Sequence, residues 1–398
     1  MSTTTLKLKK REERRIRAGH SWIFSNEIDT KETPLKGLTA GEVVNIEGAN
    51  GQSLGSAYVN PASLISARLF SRKSNTQLNQ ALLSKRIQQA LALREQLYPT
   101  PHYRLVYGDS DFLPGLVIDR FNDVFVVQST TAGIDKVLED IKAVLVELFE
   151  PDAIILRNDS GARDLEQLER YTKVIHGDMP DELEVEEFGL RFRIATTDSQ
   201  KTGWFYDQQD NRRRLNRYVT GKRVLDVFSY AGGWGIHAAH YGAKEVVCVD
   251  ASQSALDAVE HNAKLNKVDS FVSTIKGDAF DVLKHLRNKE EKFDVVILDP
   301  PAFIKRKKDI ESGTLAYERL NKAGLQLLND GGILVSCSCS HHLGADKLQR
   351  AILKAAQRTQ LQLQILETGE QGPDHPVHPA IPETRYLKGF YCRVLKSS

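Results

Sequence analysis

Two thiols close the apolar run Gly331-Gly-Ile-Leu-Val-Ser-Cys-Ser-Cys-Ser340, at Cys337 and Cys339. Residues i and i+2 of a strand share a face, so both sulfurs project together, where a nucleophile would sit. Upstream, the apolar run Phe293-Asp-Val-Val-Ile-Leu298 feeds Asp299-Pro300-Pro301, and Val224-Leu-Asp-Val227 feeds the glycine-rich Ser229-Tyr-Ala-Gly-Gly-Trp-Gly235. A thiol, an acid and a glycine turn at strand ends point to an enzyme that moves a one-carbon group onto a base. Each has a plainer counterpart: a cysteine is also a small buried hydrophobe, and an Asp after a strand also caps the next helix.

In an open parallel sheet, ligands bind outside the carboxyl ends of the strands. Three acids fall there. Asp226 lies in the first strand, Asp250 ends the second, 24 residues later, and Asp278 follows the third in Lys276-Gly-Asp-Ala279. The spacing of Asp250 suits a carboxylate that takes both hydroxyls of a ribose, and Asp278 is placed to accept from an adenine amine. Gly232-Gly-Trp-Gly235 lacks the three spaced glycines of the dinucleotide fingerprint, although its glycines still admit close backbone approach at a helix N-terminus.

The elements that must position these residues divide the chain into an α/β protein of three parts. Residues 1–73 carry short apolar segments between turn residues, Ser21–Phe24, Gly41–Ile46, Ser53–Val59 and Leu64–Phe70, which reads as a small β-barrel. Residues 74–190 hold a connector helix over Gln77–Leu97, the segment Tyr103–Asp109, a turn through Leu113-Pro-Gly115, strands around Leu116–Ile118, Val124–Gln128 and Ala153–Leu156, and a helix over Asp135–Phe149, a central α+β unit. The acidic stretch Asp178–Glu187 reads as the boundary. From there to residue 398 strand and helix alternate: strands at Arg223–Phe228, Glu245–Asp250, Ser273–Lys276, Phe293–Leu298 and Gly332–Cys337, with a helix such as Ser252–Asn266 between them. That rhythm implies a mostly parallel, Rossmann-like sheet with helices on both faces. In the closing Arg385–Leu395, Lys388-Gly389 reads as a turn between two strands at the sheet edge.

Composition narrows the class. The 398 residues contain four cysteines, 41% hydrophobic and 27% charged residues, and a formal net charge of +2. Four scattered thiols fit a reducing cytoplasm rather than a disulfide framework, and no run of about 18 apolar residues exists to span a bilayer. The first residues lack the apolar core of a signal peptide. No metal site is expected, since Cys337 and Cys339 lack matching ligands elsewhere. Between Lys7 and Arg17, seven basic residues stand against Glu12 and Glu13, a run that either neutralises phosphates or is simply solvated.

With Asp226, Asp250, Asp278 and Asp299-Pro-Pro301 in register, the C-terminal part resembles the class I S-adenosylmethionine-dependent methyltransferases. Gln200-Lys-Thr-Gly-Trp-Phe-Tyr-Asp-Gln-Gln209, Asp299-Pro-Pro-Ala-Phe303 and Ser338-Cys-Ser340 are similar to the RlmI family of large-subunit (23S) rRNA cytosine-C5 methyltransferases. Gly19-His-Ser-Trp-Ile-Phe24 and Asn60-Pro-Ala-Ser-Leu-Ile65 resemble its N-terminal RNA-binding PUA domain, and Gly108–Asp119 the opening of its central domain. The resemblance implies S-adenosylmethionine as cofactor and large-subunit rRNA as partner, and it allows a homodimer. It puts Lys201, Thr202, Gly203, Asp207 and Gln208 beside the cofactor. Ser229, Tyr230, Ala231, Gly232 and Gly233 fall around its methionine end, Asp250 on the ribose and Asp278 at the adenine, with Asp226 and Asp299 also in the cofactor site. Cys339, framed by two serines, becomes the nucleophile and Asp299 its catalytic partner. This chain departs from the family pattern at Cys337, at His341-His342 and at the bulky Trp234.

C5 of cytosine needs a nucleophile added at C6 before it can attack a methyl group. A thiolate does this well, but a free thiol titrates at about 8.5, so Cys339 needs a local field such as a nearby cation. The loop after the fourth strand holds no second thiol to release the product. Two rivals remain: an exocyclic-amine methyltransferase that stacks the base on Phe303 and leaves Cys339 idle, and a non-catalytic RNA-binding or ribosome-assembly protein.

Overall fold

Short apolar runs bounded by Gly, Pro and Asn bury one face each, and in the computed structural model, which describes residues 3–196 and 203–396, they do so in two compact units. The first unit comprises Met1–Leu183, Ala195–Trp204 and Pro373–Thr384; the second comprises Glu184–Ile194, Phe205–Gly372 and Arg385–Ser398.

In the first unit, β1 (Thr5–Lys7), β2 (Trp22–Ile23), β3 (Val43–Glu47), β4 (Ser53–Val59) and β5 (Ala67–Ser71) form one sheet in the order β1-β3-β4-β5-β2. Together with α1 (Glu13–Arg17) they bury Leu6, Ile16, Ile23, Val44, Ile46, Val59 and Leu69. The basic run is therefore folded into β1 and α1. Part of it is internally paired: Arg15 donates to Glu27 and to the Trp22 carbonyl, and Lys7 pairs with Glu32. The strand expected from Leu64 begins only at Ala67: Leu64 is 71% exposed in the loop before it, and Ser66 is already buried.

A second sheet of this unit runs β10-β9-β8-β7-β6, from β6 (His102–Tyr107), β7 (Leu116–Phe121), β8 (Val124–Ser129), β9 (Ala153–Asn158) and β10 (Tyr171–Gly177). It packs with α2 (Gln80–Leu97), α3 (Ala132–Asp135) and α4 (Leu138–Phe149). Tyr58 and Phe70 of the first sheet enter the same core as Leu83, Ile87, Leu105, Phe125 and Val144. A Cβ at Gly133 would lie 2.0 Å from the Tyr58 ring, so only glycine permits this docking. Ser21 and Trp22 both donate to Asp109, which joins two of the sequence motifs directly. The residues expected as a barrel and a central domain thus share one hydrophobic body. The division between the two units falls inside the acidic stretch, after Leu183, and part of the stretch forms β11 (Glu182–Glu187), paired with β12 (Leu190–Ala195) in a hairpin whose β11 alternates exposed Glu with buried Leu183 and Val185.

The second unit carries α5 (Gln209–Arg214), α6 (Gly233–His240), α7 (Gln253–Leu265), α8 (Ala279–Asn288), α9 (Ile310–Leu325) and α10 (Ala345–Gln357) around a seven-stranded sheet. Its strands are β13 (Arg223–Val227), β14 (Glu245–Asp250), β15 (Val272–Lys276), β16 (Phe293–Leu298), β17 (Leu328–Ser338), β18 (Leu361–Gly369) and β19 (Lys388–Lys396), in the order β15-β14-β13-β16-β17-β19-β18. The first five run parallel, whereas β19 is antiparallel to both β17 and β18. Alternation places Leu225, Val227, Val247 and Val249 in a core with α8, α9 and α10. On the opposite face, α6 comes so close that a Cβ at Gly235 would lie 2.5 Å from the Cys248 sulfur.

One expectation is overturned here. Lys388-Gly389 is no turn: both residues lie in the continuous strand β19, Lys388 opposite Ser338 and Gly389 opposite Cys337. Glycine is used there because a Cβ would press on the Cys337 sulfur at 3.2 Å. The sheet edge is β18 instead, whose alternating Leu361-Gln-Leu-Gln364 marks a half-exposed strand.

Candidate active site

Catalytic and binding groups gather at the carboxyl ends of β13, β14, β16 and β17. After β13 the chain makes a tight turn in which Phe228, Tyr230 and Gly232 take φ of +67°, +49° and +84°. Non-glycine residues in this region cost roughly 1 kcal/mol or more each, and the cost is offset locally. Phe228 and Ser229 amides both donate to the Val249 carbonyl, at 2.9 and 3.0 Å, and the Tyr230 amide donates to Asp250 at 3.0 Å. The turn delivers Ala231, Gly232 and Gly233 to the start of α6.

The four acids differ in environment. Asp226 is fully buried; one carboxylate oxygen accepts from the Gly235 amide at 2.9 Å, and the other has no hydrogen-bond partner among the described residues. Desolvation, reinforced by Asp299 and Asp250, pushes its pKa up to about 8. Asp250 accepts from the Tyr230 and Ser252 amides, one on each oxygen, while Ser252 itself caps α7. Asp278 is the cap of α8, accepting from Phe280 and Asp281, so the plainer role anticipated for such acids holds at Asp278 and fails at Asp250.

Asp299 receives Trp234 Nε1 at 2.9 Å and Gln208 Nε2 at 3.0 Å. Trp234, a departure by its bulk, therefore has a polar task. Asp299 is half-buried, and desolvation raises its pKa to about 6 against these two donors. Gln208 is itself fixed by Asn211, and Asp207 accepts from the Tyr386 hydroxyl. Gly203 takes a φ of +114°; Lys201 and Thr202 lie outside the described residues. Arg212, which sequence reasoning missed, forks onto Glu187 with bonds of 2.7 and 2.6 Å, and its field lowers the pKa of both Asp226 and Asp299.

The two cysteines part company. Cys337 is buried, and desolvation pushes its pKa far up, which makes it a neutral packing thiol. Cys339 is half-buried, one residue past β17. Its flanking serines form a bracket. Ser338 Oγ donates to the Tyr317 hydroxyl at 2.8 Å and accepts from the Ser340 amide, while Ser340 Oγ lies 3.0 Å from Tyr317 and accepts from the Ile304 amide. The Cys339 turn is thereby tied to α9 and to the Asp299-Pro-Pro-Ala-Phe303 loop. Phe303 packs at 4.8 Å on Tyr317, a contact that occupies one side of its ring. Lys388, also missed from sequence, sends its amine to the carbonyls of Ser340 at 2.5 Å and Tyr386 at 2.8 Å. Among the described residues no cluster of His, Cys, Asp or Glu is placed to hold a metal.

A doubly wound sheet with an orphaned buried acid beside a glycine turn is the arrangement of a nucleoside-cofactor site. The family described as S-adenosylmethionine-dependent methyltransferase matches residues 163–388, and the one described as a PUA-like domain matches residues 6–72. Ribosomal RNA large subunit methyltransferase I of Aliivibrio fischeri is 38% identical over 99% of this chain and 100% of its own length. The protein of that name from Escherichia coli O157:H7 is 37% identical over 98% and 99%. The structure of SMU.776, described as a methyltransferase and solved with SAH, superposes with a TM-score of 0.83 at 22% identity, over 99% of this chain and 100% of that one. Trm5b from Pyrococcus abyssi does so at 0.52, with 18% identity over 70% and 74%. Both likenesses concern the fold. The chain belongs to the ribosomal RNA large subunit methyltransferase I family of S-adenosylmethionine-dependent enzymes.

The site fits that cofactor. The unpaired oxygen of Asp226 and the unpaired hydroxyl of Ser229 flank the glycine turn, and such orphaned buried acceptors suit a ligand ammonium.

Proposed function

We propose that this protein methylates C5 of a cytosine in large-subunit ribosomal RNA, through a covalent bond between Cys339 and C6. The observation that carries this reading is the bracketed, half-buried Cys339, tied through Ser340 and Ile304 to the loop that bears Asp299. Relatives named for the large ribosomal subunit and the PUA-like domain support the choice of RNA. In this reading residues 1–73 hold RNA, 74–190 connect, and 191–398 carry the chemistry, in the cytoplasm.

The target base leaves its stack at a cost of a few kcal/mol. Cys339 loses its proton to solvent and its sulfur adds to C6, which places electron density on C5. S-adenosylmethionine, which Asp226, the Ser229–Gly233 turn, Asp250 and Asp278 would hold, would supply an electrophilic methyl group to C5, with S-adenosylhomocysteine as the leaving group. Asp299 hydrogen-bonds the cytosine ring and stabilises the adduct, and Pro300 and Pro301 stiffen its loop. A base then takes the C5 proton as the C6–sulfur bond breaks and the thiolate leaves.

Mass spectrometry of RNA treated with Cys339→Ala tests this: 5-methylcytosine should vanish. Near-parental methylation by the variant would overturn the covalent reading.

A further inference from the structure

We propose that Lys388 is the positioning cation of the site: its ammonium, fixed beneath the Ser338-Cys339-Ser340 turn, holds the Cys339 sulfur as a thiolate. This deepens the covalent reading above and rests on it for its meaning, but not for its test.

The geometry comes from strand register. Lys388 stands opposite Ser338 in the β17–β19 ladder, and its amine reaches past Cys339 to the Ser340 carbonyl. A second bond to the Tyr386 carbonyl holds the amine from the other side. The side chain thus spans the thiol-bearing residue with its nitrogen anchored at two points. Lys388 is only 8% exposed, and among the described residues its amine bonds to carbonyl oxygens and pairs with no carboxylate. A buried ammonium satisfied by carbonyl dipoles alone is expensive, and such a group persists where a charge partner can appear. Lys388 is electrostatically coupled to Cys339.

Two neighbouring titratable groups add no charge beside the thiol at neutral pH. Tyr317 on α9 and Cys337 on the same strand both couple to Cys339, and burial raises both, so each is neutral near pH 7. Asp299 and Asp207 act on Cys337. Desolvation lowers Lys388 itself to about 8, leaving it charged at neutral pH. A cation beside a thiol favours its ionised form.

The test is the pH dependence of Cys339 alkylation by iodoacetamide in the full-length protein without RNA, followed by peptide mass spectrometry so that the other three cysteines are resolved. In the parent the midpoint should lie below the free-thiol value of about 8.5. Lys388→Met should move it up by about one pH unit, with roughly tenfold slower alkylation at pH 7, and Lys388→Arg should restore most of the shift. An unmoved midpoint in folded Lys388→Met overturns the proposal. If that variant does not fold, the parent alone decides: a midpoint at or above about 8.5 is equally fatal. Since no RNA or methyl transfer enters, failure here leaves the cytosine-C5 reading standing, and that reading fails on Cys339→Ala instead.

Discussion

The two halves of the site solve opposite electrostatic problems. At the ends of β13, β14 and β16, three carboxylates crowd together: Asp226 is pushed up to about 8 and Asp299 to about 6, with Arg212 opposing both shifts. At the ends of β17 and β19 the groups are a thiol, hydroxyls and one ammonium, clamped by short hydrogen bonds. The acidic half is unfinished without a cationic ligand, whereas the thiol half is rigid and complete in the protein alone. In the proposed function one half binds and the other reacts.

The largest effect that would break this division is at the thiols. Cys339→Ala should lower methylation by about 10³-fold or more, while Cys337→Ala stays within a few-fold in the same RNA assay; equal losses would erase the distinction between them. Next comes Asp226→Asn. Removing a buried acceptor for a charged ligand group should weaken cofactor binding by about ten- to a hundredfold in calorimetry. The sign for stability is the reverse. A carboxyl whose folded pKa is about 8 favours its protonated form, so folding loses stability as pH rises from the ordinary carboxylate range through 8. The neutral amide should therefore raise Tm of the ligand-free protein at pH 8, and a lower Tm together with weaker binding would contradict an acid kept for its ligand.

A smaller signal sharpens the same point: cofactor binding at pH 7 should release protons as Asp226 ionises, visible as a dependence of binding heat on buffer ionisation enthalpy. Tyr317→Phe removes the shared hydroxyl of the serine bracket and should cost about 1 kcal/mol of stability, with activity falling more than cofactor affinity. Last, Asp278→Ala should cost about 1 kcal/mol in denaturant melts through its lost cap. A concurrent drop in cofactor affinity would add the adenine contact to its capping role.

Much of the acidic half was legible in the sequence. Parallel strands buried on both faces read as continuous apolar runs, so β13, β14 and β16 and the residues at their ends were found within a residue or so. The thiol half was legible only at Cys339. Its supports come from elements whose local signals mislead: Lys388-Gly389 has the composition of a turn, yet is central strand because its glycine clears the Cys337 sulfur. Tyr317 looks like one more apolar position of an amphipathic helix. In the acidic half the one residue missed, Arg212, sits in a polar run, and its partner Glu187 in a stretch read as a boundary. Long-range pairing decided each of these, and spacing along the chain carries no trace of it.

The insertion of β19 between β17 and β18 also bears on how the molecule comes to be. The parallel ladder from β13 to β17 can zip up from neighbouring segments, but β18 has no place to dock until a later strand arrives beside it. Such non-local closure is slow, because chain entropy is lost before contacts return it. The lysine beneath the cysteine is therefore delivered only by the pairing of β19 with β17, so any event that peels this strand away would separate the two groups.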